Sequence, residues 1–254
     1  MKSLEGMNVE YKNWVPVKMI MAPFLIALAC AALAIKFWAA AIAAILFLGI
    51  AGYFFFAWYR FSPRGGNIQK QIESLVLQHL HWDGKGSALD IGCGNGPLTI
   101  ALAQQCLQAK VTGVDTWGKS WDYSQKMCEH NAEIEGVGER VVFSQGSAAD
   151  LPFGDNQFDL VVSNLVFHEI KELKDKREGV RQALRVLKPG GIFVLQDLFL
   201  IEAYYGKPDE LLETVHQWGI HQVEFIRTCD EPFIPKFLKL PFMVGTIGIL
   251  AGIK

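Results

Sequence analysis

The sequence Leu89-Asp90-Ile91-Gly92-Cys93-Gly94-Asn95-Gly96 decides the fold class of this chain. The apolar residues that lead into it predict a buried strand, and the apolar residues at helical spacing that follow predict a helix. Glycines at a strand-to-helix turn let the backbone turn sharply and approach a ligand, whose polar group then meets the N–H groups at the helix start. The segment therefore predicts a ligand-binding turn in an α/β domain.

Two features of this turn distinguish it from a dinucleotide-binding turn. The dinucleotide motif has the spacing G-x-G-x-x-G, whereas the glycines here run G-x-G-x-G and Pro97 stands where the last glycine belongs. In addition, Asp90 closes the strand just before the loop. A carboxylate repels a pyrophosphate and attracts an ammonium group, so the turn favours a ligand with an amino-acid end.

Strand-like and helix-like segments alternate on both sides of this turn. The predicted strands are Ala88–Ile91, Val111–Asp115, Val141–Ser144, Phe158–Ser163, Ile192–Leu198, Val223–Arg227 and Met243–Ala251. The predicted helices are Asn67–Leu80, Leu98–Cys106, Tyr123–Glu135, Asp175–Leu187 and Pro208–Trp218. Such alternation predicts a doubly wound α/β fold with a seven-stranded, mostly parallel sheet. The last two strands follow each other without a helix between them, which predicts an antiparallel pair.

Several segments together resemble the class I S-adenosylmethionine-dependent methyltransferases over roughly residues 67–254. Asp90–Gly96 resembles their first motif, and Asp115, at the end of Val-Thr-Gly-Val-Asp, resembles their ribose-binding acid. Gly146–Phe153 resembles their adenine loop, and Leu184–Gly191 resembles the turn into their fifth strand. The resemblance implies a methyltransferase fold, S-adenosylmethionine as the cofactor, and an enzyme that methylates a small molecule or a lipid.

The resemblance also implies which residues contact the cofactor. The methionine part would lie against Asp90, Gly92, Gly94 and Gly96, and both ribose hydroxyls would bind Asp115. Thr116 and Trp117 would contact the adenine face, Ser147 and Ala148 its edge, and the carbonyl of Asn164 the methionine ammonium. Ser147 is a departure from the pattern, because many relatives have an aspartate there. A hydroxyl can still accept a hydrogen bond, so we expect adenine binding to survive.

Three polar residues follow predicted strands on the side where the methyl acceptor would bind. His168 and Glu169 lie within one turn of the fourth strand, and Asp197 lies near the end of the fifth. We predict these three as catalytic residues, with His168 as the base for an acceptor that must lose a proton. A structural role in packing is the alternative for each of them.

The first 64 residues differ in composition from the rest and predict a membrane anchor. Met19–Ile35 and Phe37–Tyr59 are uncharged runs separated by Lys36. Because about 20 apolar residues cross a bilayer core, we predict two transmembrane helices at about 17–35 and 37–59, followed by a methyltransferase domain over 65–254. A buried hairpin in a soluble core and a cleaved signal peptide are the alternatives.

The distribution of cations around these runs predicts the orientation of the anchor. The cations Lys2, Lys12, Lys18, Arg60 and Arg64 flank the pair, whereas only Lys36 lies in the turn between the helices. Because cytoplasmic segments are enriched in Lys and Arg, we predict an integral protein of the cell membrane with both termini and the catalytic domain in the cytoplasm.

Composition excludes several other classes of protein. The chain has 254 residues, 51% of them hydrophobic, with a net charge of −2. This balance argues against a nucleic-acid partner, which would require a strongly basic face. The five cysteines form no C-x-x-C pair, which argues against a zinc site and a disulfide framework. We predict no metal.

The functional prediction is a membrane-anchored methyltransferase with a small, lipophilic or membrane-associated acceptor and the bilayer as a partner. The segment Glu231–Phe242 mixes aromatic residues with lysines, as an interfacial segment does, although an ordinary packed loop is an equal alternative. A membrane-tethered scaffold or sensor that binds the cofactor without turnover remains a competing hypothesis, and a nicotinamide-dependent dehydrogenase is a third. The sequence leaves the acceptor, the attacking atom and the oligomeric state open.

Overall fold

The structure is a computed structural model that describes residues 8–9, 11–118 and 124–254. The chain divides into two compact units. The hairpin unit comprises residues 12–72, and the sheet unit comprises residues 73–254 together with the described residues before 12. This division falls at 72/73, whereas the predicted domain boundary is at 64/65.

The sheet unit contains seven strands and most of the helices. The strands are β1 Lys85–Ile91, β2 Gln108–Asp115, β3 Val141–Gln145, β4 Phe158–Asn164, β5 Leu187–Asp197, β6 Gln222–Ile226 and β7 Gly248–Ile253. The helices of the whole chain are α1 Lys18–Ala34, α2 Ala40–Phe61, α3 Ile68–Gln78, α4 Pro97–Gln105, α5 Gln125–Ile134, α6 Arg177–Val186, α7 Glu202–Tyr205 and α8 Pro208–Gln217. Tyr123, where the third predicted helix begins, lies outside the described residues.

The strands form one mixed sheet in the order β3-β2-β1-β4-β5-β7-β6. β1 to β5 run parallel, and β7 pairs antiparallel with both β5 and β6. The predicted seven-stranded, mostly parallel sheet with an antiparallel pair at its end is therefore confirmed. Successive strands are added on one side of β1 up to β3 and on its other side from β4 onward, so the topology switches between β1 and β4. Ligands of open α/β sheets bind at the carboxyl ends of the strands beside such a switch point.

Apolar clusters cover both faces of the sheet. Leu89, Val161 and Leu195 face one cluster, which includes residues of α6 and α8. Ala88 and Val194 face the other, which includes residues of α3, α4 and α5. Because successive side chains in a strand alternate between faces, these buried runs fix the side on which each polar residue at a strand end lies.

The last strand begins later than its apolar run predicts. Met243–Ala251 was the predicted range, whereas β7 spans Gly248–Ile253. The residues before β7 form turns, in which Val244 N–H donates to Leu238 O and Gly245 N–H donates to Leu240 O. Val244 and Leu238 are buried, so an apolar loop that packs inside the protein has the composition of a strand.

The hairpin unit contains α1 and α2, which pack against each other. At one end, Asn13 Nδ2 donates to Trp58 O at 2.9 Å, and the rings of Trp14 and Phe61 lie 5.9 Å apart. Among the described residues, α2 is the one helix long and apolar enough to cross a membrane, whereas α1 is apolar but has only 17 residues. The crossing of a bilayer by both helices stays a prediction.

Candidate functional site

Four strands end side by side at the edge where the sequence predicts a ligand. In the order β2, β1, β4, β5, their ends carry Asp115, the glycine loop Gly92–Gly96, Asn164 and Asp197. The sheet thus brings residues that are far apart in the sequence to one edge, and the predicted cofactor and acceptor residues follow one another along it.

The glycine loop requires bare backbone at this edge. Gly92, Gly94 and Gly96 have φ angles of 72°, 57° and 83°, which residues with a Cβ adopt at a cost. A Cβ on Gly92 would lie 2.1 Å from Cγ2 of Val166. The N–H of Gly92 donates to Val114 O at 2.7 Å, which ties the loop to β2. The loop therefore depends on glycine for both its conformation and its close approach to the turn after β4.

Asp115 holds the glycine loop and keeps part of its carboxylate free. Its Oδ2 accepts from Gly94 N–H at 2.9 Å, and its Oδ1 accepts from Trp117 N–H at 2.8 Å. A carboxylate offers about four lone-pair sites, so each oxygen retains room for a further donor. That arrangement suits two neighbouring hydroxyls, as the predicted ribose contact requires.

Trp117 also holds the glycine loop beside the end of β2. Its indole Nε1–H donates to Gly94 O at 2.9 Å, and its backbone has a φ of 43°. A positive φ at a tryptophan is strained, and such strain is concentrated at functional sites. Thr116 beside it is exposed. The side chains of both predicted adenine contacts therefore lie at the edge that carries Asp115.

Asp90 lies beneath the loop, and only 1% of it is exposed. Its Oδ2 accepts a 2.6 Å hydrogen bond from the hydroxyl of Thr99, in α4. Burial raises the pKa of Asp90 to about 7, while the hydrogen bond from Thr99 lowers it and the charge of Asp115 raises it. Asp90 supports the loop from below, and its predicted contact with a cofactor ammonium stays a prediction.

The segment predicted to bind adenine follows β3. The N–H of Gly146 donates to Asp115 O at 3.0 Å, which sets this segment beside the end of β2. Ala148 is buried, and Ser147 Oγ accepts from Ala149 N–H at 3.2 Å. The hydroxyl oxygen of Ser147 therefore already takes part in its own turn, unlike a longer aspartate side chain that could reach away from it.

Sequence reasoning missed several residues that hold this site together. Arg185 donates to Leu151 O at 3.0 Å and to Phe153 O at 2.8 Å, so α6 braces the segment after Ala148. On α5, Asn131 is fully buried and donates to Asn95 O at 3.0 Å. A polar residue on the buried side of a predicted helix was the available signal for Asn131.

The turn after β4 begins with Asn164, whose amide oxygen is buried. Asn164 Oδ1 is buried and makes no hydrogen bond to any of the residues that the structure describes. The next residue, Leu165, has a φ of 59°, which is strained for a residue with a branched side chain. A buried polar atom without a partner costs free energy, so this atom is suited to a ligand.

His168 and Asp197 form a hydrogen-bonded pair in this turn. His168 Nδ1 lies 2.7 Å from Asp197 Oδ1, and its Nε2 lies 3.7 Å from Glu169 Oε1. A carboxylate can only accept, so Nδ1 carries the proton and Nε2 is the ring atom left for chemistry. The structure thus brings the three predicted catalytic residues together.

Asp197 differs from the other two because it is fully buried. Besides His168, its oxygens accept from the N–H groups of Val166, Phe167 and Leu198 and from the hydroxyl of Tyr205. The catalytic role of Asp197 stays a prediction, and the structure shows that its side chain is enclosed by protein donors. With five donors around a buried carboxylate, its contacts are those of a residue that positions His168.

The pKa of His168 reflects two opposing effects. Burial lowers it, but the hydrogen bond and charge of Asp197, together with the charge of Glu169, outweigh burial and raise the pKa above its usual value. The side chain is 19% exposed. The raised pKa makes the neutral imidazole of His168 a stronger proton acceptor, which is what a general base requires.

Within the part of the chain that the structure describes, no group of three or more His, Cys, Asp or Glu residues is arranged to hold a metal ion. The chemistry of the site therefore depends on the glycine loop, the carboxylate of Asp115, the amide of Asn164 and the imidazole of His168. The first two fit S-adenosylmethionine: a bare backbone turn for its methionine part and a carboxylate with free lone pairs for its ribose.

Comparison with known proteins supports this fit. Residues 89–195 match the methyltransferase-domain family. The chain is 36% identical over 132 residues to an uncharacterized methyltransferase of Synechocystis sp., covering 51% of this chain and 55% of that protein. It is 33% identical over 151 residues to the demethylmenaquinone methyltransferase of Lactiplantibacillus plantarum, covering 58% and 57%. The chain thus spans little more than half the length of these relatives.

A solved structure shows the same fold. The geranyl diphosphate C-methyltransferase of Streptomyces coelicolor, in complex with Mg²⁺, geranyl diphosphate and S-adenosyl-L-homocysteine, aligns with a TM-score of 0.56 at 14% identity. The alignment covers 75% of this chain and 80% of that one. At this identity the likeness concerns the fold alone, which is the predicted methyltransferase architecture.

Proposed function

We propose that this chain transfers a methyl group from S-adenosylmethionine to a small lipophilic acceptor at a membrane surface. The observation that carries the proposal is the link between Asp115 and Gly94, within a stretch that matches the methyltransferase-domain family. This link sets a carboxylate with free lone pairs, which suits the ribose hydroxyls of S-adenosylmethionine, beside a bare glycine turn, which suits the methionine part.

When bound, S-adenosylmethionine would supply a methyl group on a sulfonium: the acceptor atom would bond to the methyl carbon as the carbon–sulfur bond breaks, and the thioether S-adenosylhomocysteine would leave. The protein supplies alignment. Asp115, at the end of β2, would hold the ribose, and the glycine loop after β1 would hold the methionine part. The acceptor would then approach from the side of β4 and β5, where Asn164 and His168 lie.

His168 is the general base for a methyl acceptor whose attacking group must lose a proton. Its Nδ1–H is fixed on Asp197 Oδ1 at 2.7 Å, so Nε2 receives the proton. The imidazolium that results is stabilised by the carboxylates of Asp197 and Glu169. General-base assistance of this kind contributes about 10²- to 10⁴-fold to a rate.

A lipophilic acceptor is supported by two independent observations. One of the similar proteins is a demethylmenaquinone methyltransferase, and the hairpin unit carries large apolar side chains on its exterior. Ile35, Trp38 and Ile45 are 91%, 79% and 72% exposed. The 22 residues of α2 span about 33 Å, which matches a hydrocarbon core of about 30 Å.

The hairpin would place the sheet unit at the cytoplasmic face of the cell membrane. Lys36 lies in the turn between α1 and α2, while Lys12, Lys18, Arg60 and Arg64 lie at the opposite end. By the positive-inside rule, that end is cytoplasmic. Because S-adenosylmethionine is a cytoplasmic metabolite, this orientation also places the site where its cofactor is made.

The test is the transfer of labelled methyl groups by the full-length chain in detergent. The protein is incubated with methyl-labelled S-adenosylmethionine and a bacterial cell extract that has been divided into a lipid phase and an aqueous phase. We expect label in the lipid phase with wild type and at least tenfold less with Asp115→Ala at a concentration of S-adenosylmethionine below the Kd. Binding of the cofactor without transfer to either phase would favour the scaffold hypothesis instead.

A further inference from the structure

Two buried amide oxygens at the carboxyl edge of the sheet have no hydrogen-bond partner among the residues that the structure describes. One is Asn164 Oδ1, and the other is Oε1 of Gln196. Gln196 is fully buried and directly follows the apolar run 192–195 of β5. An unsatisfied buried polar group costs free energy, which a ligand that donates a hydrogen bond would offset.

The two amides are neighbours on the same face of the sheet. Asn164 pairs in register with Gln196, and Gln196 pairs in register with Ile249 on β7. Because residues in register share a face, both amides lie on the side of Ile249, which belongs to the apolar cluster that includes residues of α3, α4 and α5. Asp197, the next residue along β5, lies on the opposite side with Tyr205.

The orientation of the Gln196 amide is fixed by the protein. Its Nε2 donates to Thr228 Oγ1 at 3.0 Å, and Thr228 is itself fully buried. This bond holds one end of the amide and leaves Oε1 as the end that accepts.

The position of Gln196 along the edge places it beyond the cofactor. The edge runs from Asp115 on β2 through the glycine loop after β1 and Asn164 on β4 to Gln196 on β5. With strands about 4.8 Å apart, Gln196 is two strand spacings from the loop that holds the methionine part. It therefore lies on the acceptor side of the transferred methyl group.

The surroundings of Asn164 and Gln196 determine which chemical group can bind to their amide oxygens. The nearest cluster is apolar, and the two amide oxygens are neutral acceptors. A cation in such a place would be desolvated without a compensating charge, which is far more costly than desolvation of a hydroxyl. A neutral O–H donor on an otherwise apolar molecule satisfies the amide oxygens at the lowest cost.

We infer that Gln196, with Asn164 beside it, is a binding subsite for a hydroxyl group of the methyl acceptor. The acceptor is then a lipophilic molecule that carries a hydroxyl group, such as a phenol or a hydroquinone. This inference rests on the proposed function and adds to it the residue that recognises the acceptor. Gln196 acts here in binding and specificity and takes no part in proton transfer.

The test is a kinetic comparison of full-length wild type and Gln196→Leu in detergent, with methyl-labelled S-adenosylmethionine and the fractionated cell extract as probes. Leucine has a similar volume but no acceptor oxygen. We expect the half-saturating concentration of the labelled fraction to rise at least tenfold, and the affinity for S-adenosylmethionine to stay within twofold of wild type. The isolated product should contain a hydroxyl group or a newly methylated one.

Two further variants separate binding from a structural role. Gln196→Leu combined with Thr228→Val removes both partners of the internal hydrogen bond, and we expect it to melt at or above the temperature of wild type, because neither side chain of that bond leaves the other unpaired. Gln222→Leu, at an exposed glutamine of β6, should leave the half-saturating concentration unchanged.

Several results would overturn the inference. One is an unchanged half-saturating concentration in Gln196→Leu. Another is a parallel loss of cofactor affinity, which would assign the pair to the methionine ammonium. A labelled product without any hydroxyl would also overturn it. Label confined to the aqueous phase would contradict the lipophilic acceptor of the proposed function, yet the same comparison of variants with that fraction would still decide the role of Gln196.

Discussion

The Oδ2 atom of Asp115, at the end of β2, accepts a 2.9 Å hydrogen bond from the backbone N–H of Gly94, in the loop after β1. One carboxylate thus shapes the loop and also offers free lone pairs to a ligand. The two functions are linked, because removal of the side chain would release the loop and also remove the predicted ribose contact.

We expect Asp115→Ala to weaken the binding of S-adenosylmethionine by about 1.5–3 kcal/mol, the range for hydrogen bonds to a charged group. This corresponds to roughly a 10- to 150-fold increase in Kd, measurable by calorimetry on the full-length chain in detergent. Asp209→Ala, at an exposed position of α8, is the control. Equal affinities in Asp115→Ala and wild type would remove Asp115 from the site.

The loop itself can be tested with a pair of glycine substitutions. Gly94 and Gly190 have φ angles of 57° and 76°, and a Cβ on Gly190 would meet nothing within 4 Å. Alanine should therefore cost about 1–2 kcal/mol of stability at either position. Only Gly94→Ala should also reduce cofactor affinity, by tenfold or more. A similar affinity loss in both variants would show that the effect is general destabilisation.

The environment of His168 predicts how activity depends on pH. The charge of Glu169 raises the pKa of His168, whereas the charge of Lys176 lowers it. If His168 is the base, activity rises as pH increases through its pKa. Glu169→Gln should then move the acidic limb of the pH–rate profile to lower pH, and Lys176→Gln should move it to higher pH, each by about a few tenths of a unit because partly exposed charges are screened.

Movement of both variants in the same direction, or no movement in either, would exclude His168 as the titrating base. His168→Gln should retain cofactor affinity while the rate falls. Asp197→Asn is a poorer probe, because Asp197 also accepts hydrogen bonds from Val166, Phe167, Leu198 and Tyr205. Its replacement disturbs the whole turn and not only the pKa of His168.

Membrane topology is testable with single added cysteines in sealed cells. Lys36→Cys lies in the turn between α1 and α2, and Lys236→Cys lies at an exposed position of the sheet unit. We expect an impermeant thiol reagent added outside to label Lys36→Cys and to spare Lys236→Cys. The wild-type chain, in which four of the five cysteines are buried, measures the background. The reverse pattern would contradict a cytoplasmic catalytic domain.

Most of the fold was predictable because its signals are local. The apolar runs of β1, β2 and β4 are short and bounded by turn residues, and the glycine loop marks the first strand-to-helix turn. The start of β7 was not predictable from the sequence. Leu238 and Val244 are buried in turns before it, and a buried loop has the same apolar composition as a strand.

The candidate site was predictable where a residue type is specific and not where its environment decides its role. Gly92 and Asp115 occupy positions whose chemistry admits few alternatives. Asp197 was assigned to the pocket because it ends a strand, whereas its side chain is buried under His168. Sequence reasoning missed Gln196, although a lone amide after an apolar run is visible in the sequence, because only the structure shows that its oxygen has no partner among the described residues.

The central claim is that the glycine loop and Asp115 form a site for S-adenosylmethionine. Calorimetric titration of the full-length chain with S-adenosylmethionine, and separately with NAD, tests it directly. We predict saturable binding of one S-adenosylmethionine per chain and no binding of NAD, because the G-x-G-x-G turn and the buried carboxylate of Asp90 disfavour a pyrophosphate. Binding of NAD, or the absence of any binding of S-adenosylmethionine, would contradict the claim.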